Sequence, residues 1–560
     1  MVTRTEVDGV PTLVAPTVGP PRAGLVFRVG QADETLARRG ITHLVEHLAL
    51  HPIGGSAYHH NGNTGLTTTT FYAQGEPDDL VDFFTRLCGS LAALDTGRLA
   101  MERDVLRTEE HGRGSGPTRD LPLWRYGSRG YGLVSYPEWG LHALTADDLL
   151  AWVAAHFTRE NAVLWVAGDG VPAGLRLDLP SGHRQPVPAP TSALPATPAF
   201  FAGGPSTATD TVVPESAAAI VYAHLLQRRL YKALRLDTGL SYTTAVEYAE
   251  RGDGNAVIAA YVDALDEKQD AVLGGVIDVL AALRAAPAQP ADLAVAVSGA
   301  VRDAGGVDAA AGLLPTQSFR LLTGRPLGDV DTEVAALGEV TAEAAHAVAQ
   351  EAHKAALLMA PPRGAAWAGY APAPTTSETR IRGRDHARTS GDGPHLHVGD
   401  DGVSVVGTDD EAATVRYAEC TVMLAHPDGR RVLIGHDGMV VVADPAVYAA
   451  LNVEAIDRRV PPEVVVRMPG QPSASPAPGS VAAARRWLSR RRLGPGWLRL
   501  AALGLLTAVV GGAALTYTIG MIVGFADARV IGLIGGWLIA GWFGRSFLRA
   551  WSARRGESSA

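Results

Sequence analysis

Apolar and polar positions follow two rhythms along this chain, and the rhythm changes several times. Over residues 1–180, near period-two runs such as "AGLVFRVG", "TTTTFYAQG" and "NAVLWVAGDG" predict strands. In the same region "DDLVDFFTRLCGSLAAL" and "TADDLLAWVAAHF", with apolar residues three and four apart, predict helices. The Pro-rich piece over 181–198 reads as a linker. The alternation then returns over 199–360: strand-like "STATDTVVP", helical "AAIVYAHLLQRRLYKALRLDTG", strand-like "NAVIAAYVDA", then Ala-rich helices. Two copies of one α+β unit follow from that order.

A polar Pro/Gly/Thr-rich stretch over 361–394 predicts a flexible linker. Residues 395–468 turn β-rich ("GVSVVG", "ATVRYAECTVMLAHPDG", "RRVLIGHDGMVVVADP") and finish on an expected helix, "PAVYAALNVEAIDRRV". That order resembles the small pleckstrin-homology-like barrels of some bacterial membrane proteins. After a Pro/Ser- then Arg-rich linker (469–497), residues 498–548 hold two apolar runs separated by "ADAR", and these predict a transmembrane hairpin. Arg485, Arg486, Arg490, Arg491 and Arg492 precede it, and Arg545, Arg549, Arg554 and Arg555 end or follow it. The positive-inside rule puts both flanks, the tail 549–560 and the soluble body on the cytoplasmic side of the cell membrane.

Composition changes this picture in two places. A net charge of −9 over 560 residues argues against a nucleic-acid partner. Two cysteines, Cys88 and Cys420, are too few and too far apart for a disulfide framework or a cysteine metal site.

The candidate chemistry sits in "GITHLVEHLAL" (40–50). On a helix, His43, Glu46 and His47 fall at i, i+3 and i+4 and leave from one face, with Ile41, Leu44 and Leu48 packing beneath. Two imidazoles one turn apart can grip a zinc ion beside a glutamate base. Two half-buried histidines near a surface carboxylate fit the same stretch. Catalytic zinc normally takes three protein ligands, so a third has to lie downstream. "MERDVLRTEEHGR" (101–113) offers Glu102 and Glu109 on one helical face, although an exposed charged helix has the same pattern.

Taken in order, "RGITHLVEHLAL", "HNGNTGLTTTTFYA" and "ERDVLRTEE" are similar to the pitrilysin-like inverzincin metallopeptidases, the family of insulin-degrading enzyme and the mitochondrial processing peptidase. The resemblance covers about residues 1–360. It implies an α+β fold in which two similar α/β-sandwich domains form half of a clamshell. It implies Zn2+ held by His43, His47 and Glu109, with Glu46 as general base and Glu102 supporting a ligating histidine. Glu110 and His111 adjoin Glu109, so the third ligand is assigned within one residue. Asn61 would lie on an edge strand that pairs with substrate. In "RLYKALRLDTGLSYTTAVEY", Arg235 and Tyr242 take the places of an arginine and a tyrosine that contact substrate near the scissile bond. Two departures stand out: the segment between the zinc motif and "HNGNTG" is short, and "NGNT" replaces the usual Asn-Ala-aromatic-Thr.

The activity implied is zinc-dependent hydrolysis of extended peptides or unfolded segments, by a homodimer in which Arg235 and Tyr242 of one chain approach the zinc of the other. The alternative is a catalytically silent scaffold of the same fold that binds a partner at the membrane.

Overall fold

The computed structural model describes residues 2–112 and 117–470. Its first sheet opens with a hairpin, β1 (Thr3–Val7) and β2 (Val10–Ala15), joined through Asp8 and Gly9. Both turn residues have positive φ, 47° and 84°, as a tight turn matched to the strand twist requires. β3 (Arg22–Phe27), β4 (His59–Thr64), β5 (Thr69–Gln74) and β6 (Ala162–Ala167) complete the sheet in the order β1-β2-β6-β3-β5-β4. β6, "AVLWVA", is buried along its whole length, as suits an apolar strand with neighbours on both sides. β4 pairs only with β5 and forms an edge.

Three helices pack their apolar faces into the core on one side of this sheet: α1 (Ile41–Leu50), α2 (Pro77–Ala92) and α5 (Ala146–His156). Between α2 and α5 run α3 (Leu99–Gly112) and α4 (Pro117–Tyr126).

The second sheet follows the order β12-β7-β11-β8-β10-β9, from β7 (Ala199–Ala202), β8 (Thr207–Pro214), β9 (Thr244–Glu250), β10 (Asn255–Val262), β11 (Leu357–Ala360) and β12 (Ala371–Pro372). α6 (Ala217–Leu230), α7 (Gln269–Ala285) and α12 (Ala342–Lys354) share its core. α8 (Pro290–Ala304) and α11 (Val330–Gly338) pack on α6. The short α9 (Ala309–Gly312) and α10 (Leu314–Leu322) reach back to the first sheet. Ala311, Leu314 and Leu322 join Leu13, Val26, Val163 and Trp165 on the face away from α1.

Residues 361–394 depart from the flexible linker expected of them. Ala371 and Pro372 pair with β7, Tyr370 and Ile381 are buried, and β13 (Arg384–His386) starts a third sheet. Proline suits β12 because that strand is an edge with no outer neighbour to donate to. β13, β14 (His395–Val398), β15 (Gly402–Val406) and β16 (Ala412–Arg416) form one four-stranded sheet. β17 (Cys420–Ala425), β18 (Arg431–Gly435), β19 (Val440–Ala443) and β20 (Val465–Arg467) form another, in the order β19-β18-β17-β20. The helix expected over 445–460 reduces to α13 (Glu454–Asp457). Ala450 has a positive φ of 51°, which no continuous helix accommodates.

The sheet β17–β20 is apolar on both faces. Met423, Leu433 and Val441 meet β14–β16, whereas Val422, Leu424, Val432, Ile434, Val440, Val442 and Val466 face the two α/β domains. There they share a core with Leu36, Trp124, Leu133 and Tyr136 of the first domain and with Phe201, Leu357 and Met359 of the second. The expected membrane hairpin at 498–548 lies outside the described residues. Among those described, no single helix is long and apolar enough to cross a bilayer.

Candidate metal centre

α1 begins at Gly40, whose φ of +97° only glycine adopts freely and whose missing Cβ leaves room for Glu138 and Leu141 at 3.0 and 3.2 Å. Gly40 has no side chain to cap the helix, and Glu34 does so from a distance in sequence. Its carboxylate accepts from the backbone N–H of Gly40 at 3.0 Å and of Thr42 at 2.9 Å, and pairs with buried Arg39 at 3.4 Å. The helix is buried except at His47 and Leu50, so its polar stripe looks into the protein near the β4 edge.

His43, His47 and Glu109 converge. Glu109 Oε2 lies 3.6 Å from His43 Nε2 and 3.7 Å from His47 Nε2, and one donor atom from each of the three lies within 4.8 Å of the others. Metal–ligand distances near 2.0–2.2 Å in a tetrahedral site put ligand atoms about 3.3–3.6 Å apart. The set therefore fits zinc in geometry as well as in chemistry, with two imidazoles and one carboxylate. The neighbouring carboxylate, Glu110, is engaged elsewhere. It accepts from the Glu138 N–H at 2.9 Å and stands 3.8 Å from Arg119, which leaves Glu109 as the third donor.

Both rings are oriented from behind. His47 Nδ1 lies 3.3 Å from Glu102 Oε2, and His43 Nδ1 lies 3.2 and 3.3 Å from the two oxygens of Glu138. A carboxylate at Nδ1 places the ring proton there and turns the Nε2 lone pair toward Glu109. Glu46, 6% exposed, accepts a 2.8 Å hydrogen bond from the Thr64 hydroxyl on β4. The strand passes so close that a Cβ at Gly62 would meet Glu46 Oε1 at 2.6 Å. In this chain the glycine of "NGNT" is thus where the backbone approaches Glu46.

Asn61 sits exposed on β4, its Oδ1 accepting from the Gly62 N–H at 2.9 Å. Of the segment 61–70, only the part on β4 is an edge, because β5 has partners on both sides. Arg235 lies in a π-helical turn, Tyr231–Asp237, that continues α6. Such turns recur at functional sites. Its guanidinium stacks over Tyr242 at 4.5 Å and over Tyr231 at 5.4 Å, and it donates to the Tyr242 carbonyl at 2.9 Å. Tyr242 is 70% exposed, and among the described residues the pair bonds or stacks with itself, Tyr231 and Asp263.

Glu138 and Glu34 have no sequence signature, and Thr64, although it ends the "NGNT" stretch, is brought to Glu46 only by the fold. A cavity of about 720 Å³ lies between the two domains, lined by α6, α8, α10 and α11 and by Val26, Thr68 and Thr70, and it includes none of the metal-cluster residues.

At the level of sequence, no family model matches the chain and no curated protein matches it. Solved structures do share its fold. A protease from Helicobacter pylori (15% identity, TM-score 0.54) covers 64% of this chain and 100% of its own. A peptidase M16 inactive domain from Pseudomonas fluorescens (14%, 0.54) covers 64% and 98%, and an M16-like peptidase from Alicyclobacillus acidocaldarius (16%, 0.51) covers 64% and 98%. At these identities the likeness is one of fold, and one of the three is an inactive domain, so activity has to be argued from the site. What the comparisons establish is an M16-type peptidase fold over roughly two-thirds of the chain.

Proposed function

We propose that this chain is a zinc-dependent endopeptidase acting on extended or unfolded peptide segments. The observation that carries the reading is the convergence of His43, His47 and Glu109, with Glu46 on the same helix face and a carboxylate behind each ring. A scaffold has no need of a base beside three converging donors.

A bound zinc ion would supply the Lewis acidity that makes water a nucleophile near neutral pH. Glu46, held by Thr64, takes the proton from the attacking water and returns it to the leaving amine. The peptide lies as an added strand along β4, where free backbone groups read its main chain more than its side chains. Tyr242 donates to the carbonyl oxygen as charge develops there, and Arg235 holds a neighbouring substrate carbonyl. Since that pair is stacked on itself with Tyr242 exposed, it serves the cluster of a second copy, and the working unit is a homodimer. The apolar runs at 498–548 anchor it to the membrane with the body on the cytoplasmic side.

The deciding measurement is zinc content together with cleavage of a quenched, unstructured peptide library by full-length protein in detergent. Glu46→Gln should keep zinc and lose roughly 10²–10⁴-fold in kcat. Zinc without turnover in the wild type selects the silent scaffold, and full activity in Glu46→Gln rejects the base. Light scattering of the detergent-solubilised chain should give a dimer, and carbonate washing should leave it in the membrane fraction. An active monomer rejects the shared site, and release by carbonate rejects the anchor.

A further inference from the structure

Glu138 follows Pro137 in a loop leading to a short turn, Trp139–His142, far in sequence from either zinc motif. It is nonetheless 5% exposed, and both of its oxygens face His43 Nδ1, at 3.2 and 3.3 Å. A carboxylate that deep has to be compensated, since desolvating an unpaired charge costs several kcal/mol. Among the described residues the ring N–H of His43 supplies part of that compensation, and Glu138 lies so close to the start of α1 that a Cβ at Gly40 would meet its own Cβ at 3.0 Å.

The loop is fixed from both sides. The Glu138 N–H donates to Glu110 Oε2 at 2.9 Å. Two residues earlier, the Tyr136 carbonyl accepts from Arg39 Nε at 2.9 Å, and Tyr136 and Trp139 pack in the core beneath β17–β20. The Glu138 backbone is thereby held in place, with both carboxylate oxygens beside His43 Nδ1.

We infer that Glu138 is the positioning residue of His43, the counterpart of Glu102 at His47. It fixes the proton on Nδ1, holds the ring plane, and adds negative charge next to a site that takes a dication. This rests on the zinc reading above and assigns a role that the His-x-x-Glu-His motif and its downstream glutamates do not contain. Glu138 does not touch substrate. It acts through the lone pair of His43 Nε2, so its removal shows first in metal affinity and coordination and only then in rate.

The test uses full-length protein in detergent, with zinc competed by a fluorescent chelator and a parallel Co2+-loaded sample for visible absorption. Glu138→Ala should bind zinc about 10–100-fold more weakly and change the cobalt spectrum, as should Glu102→Ala. Glu138→Gln, whose amide oxygen still accepts from Nδ1–H, should recover most of the affinity and the spectrum. Wild-type affinity and spectrum in a folded Glu138→Ala, beside a weakened Glu102→Ala, overturn the assignment and leave the zinc site standing. Equal loss in the Ala and Gln variants, with a lowered melting temperature in both, makes Glu138 merely structural and also overturns it. A wild type that binds no zinc removes the reading on which the assignment rests.

Discussion

Among the described residues Glu46 has one hydrogen-bond donor, the Thr64 hydroxyl at 2.8 Å, which bonds one of the two carboxylate oxygens. That leaves the other oxygen for a substrate water and makes Thr64 the residue that keeps the base in place. In Thr64→Val the shape of β4 survives and the tether is lost. The expected result is a fall of about tenfold in kcat, equivalent to one hydrogen bond of about 1.4 kcal/mol, with KM, zinc content and melting temperature nearly unchanged. A wild-type kcat in that variant would show that packing against Gly62 alone holds the base. At this scale the sequence was legible where chemistry rides on a helical period. His43, Glu46 and His47, and likewise Glu102 and Glu109, could be placed because a helix turns spacing into direction. Glu138 could not, and "NGNT" marked Thr64 without showing its contact with Glu46, because these relations to α1 come from a loop and from strand placement, and neither leaves a period in the sequence.

At the scale of elements, the positions of α1 and β4 decide what the site can do. α1 starts at a glycine with no capping side chain, and Glu34, six residues upstream, accepts from the N–H groups of Gly40 and Thr42 while Arg39 balances its charge. The first turn, which carries His43, is thereby fixed by groups outside the motif. β4 is an edge with Thr64 pointing at the base and Asn61 exposed, so the open side of the strand runs beside the metal cluster. The shortened segment after His47 folds as one 3-10 turn, His51–Ile53, before β4, and Ile53 is fully buried. The two mixed α/β units could be read because strands and helices alternate in the same order twice. The expected helix over 445–460 could not be kept, for a local reason. Asp444 and Asn452 accept from the backbone N–H groups two residues on, and Ala450 adopts a left-handed conformation, so Tyr448, Ile456 and Val460 reach one core through turns. The segment 361–394 misled for a related reason. Its Pro- and Gly-rich composition suits an edge strand as well as a linker, and only the pairing with β7 distinguishes them.

For the whole molecule, the β-rich module is part of the body's core. β17 packs against residues 36–38, which lead into α1, and β20 packs against the turn that follows Glu138. The module thus touches both segments feeding His43. Adjacent residues of β17 separate its two roles. Leu424 faces the peptidase-like body and Met423 faces β14–β16, and both are nearly fully buried. Leu424→Ala and Met423→Ala should each cost about 2–5 kcal/mol, since each leaves a cavity in a packed core. If the module only stabilises the chain, the two variants will match in every property once their melting temperatures match. If it also holds the lead-in to α1, Leu424→Ala will weaken zinc binding well below its melting temperature and Met423→Ala will not. The second outcome is expected, because the apolar face of β17–β20 shares its core with Leu36, Leu133 and Tyr136, whereas the opposite face reaches no residue near the metal cluster. Through Leu36 and Tyr136 a change in the module reaches Arg39 and Glu138, and through them the cap of α1 and the ring of His43.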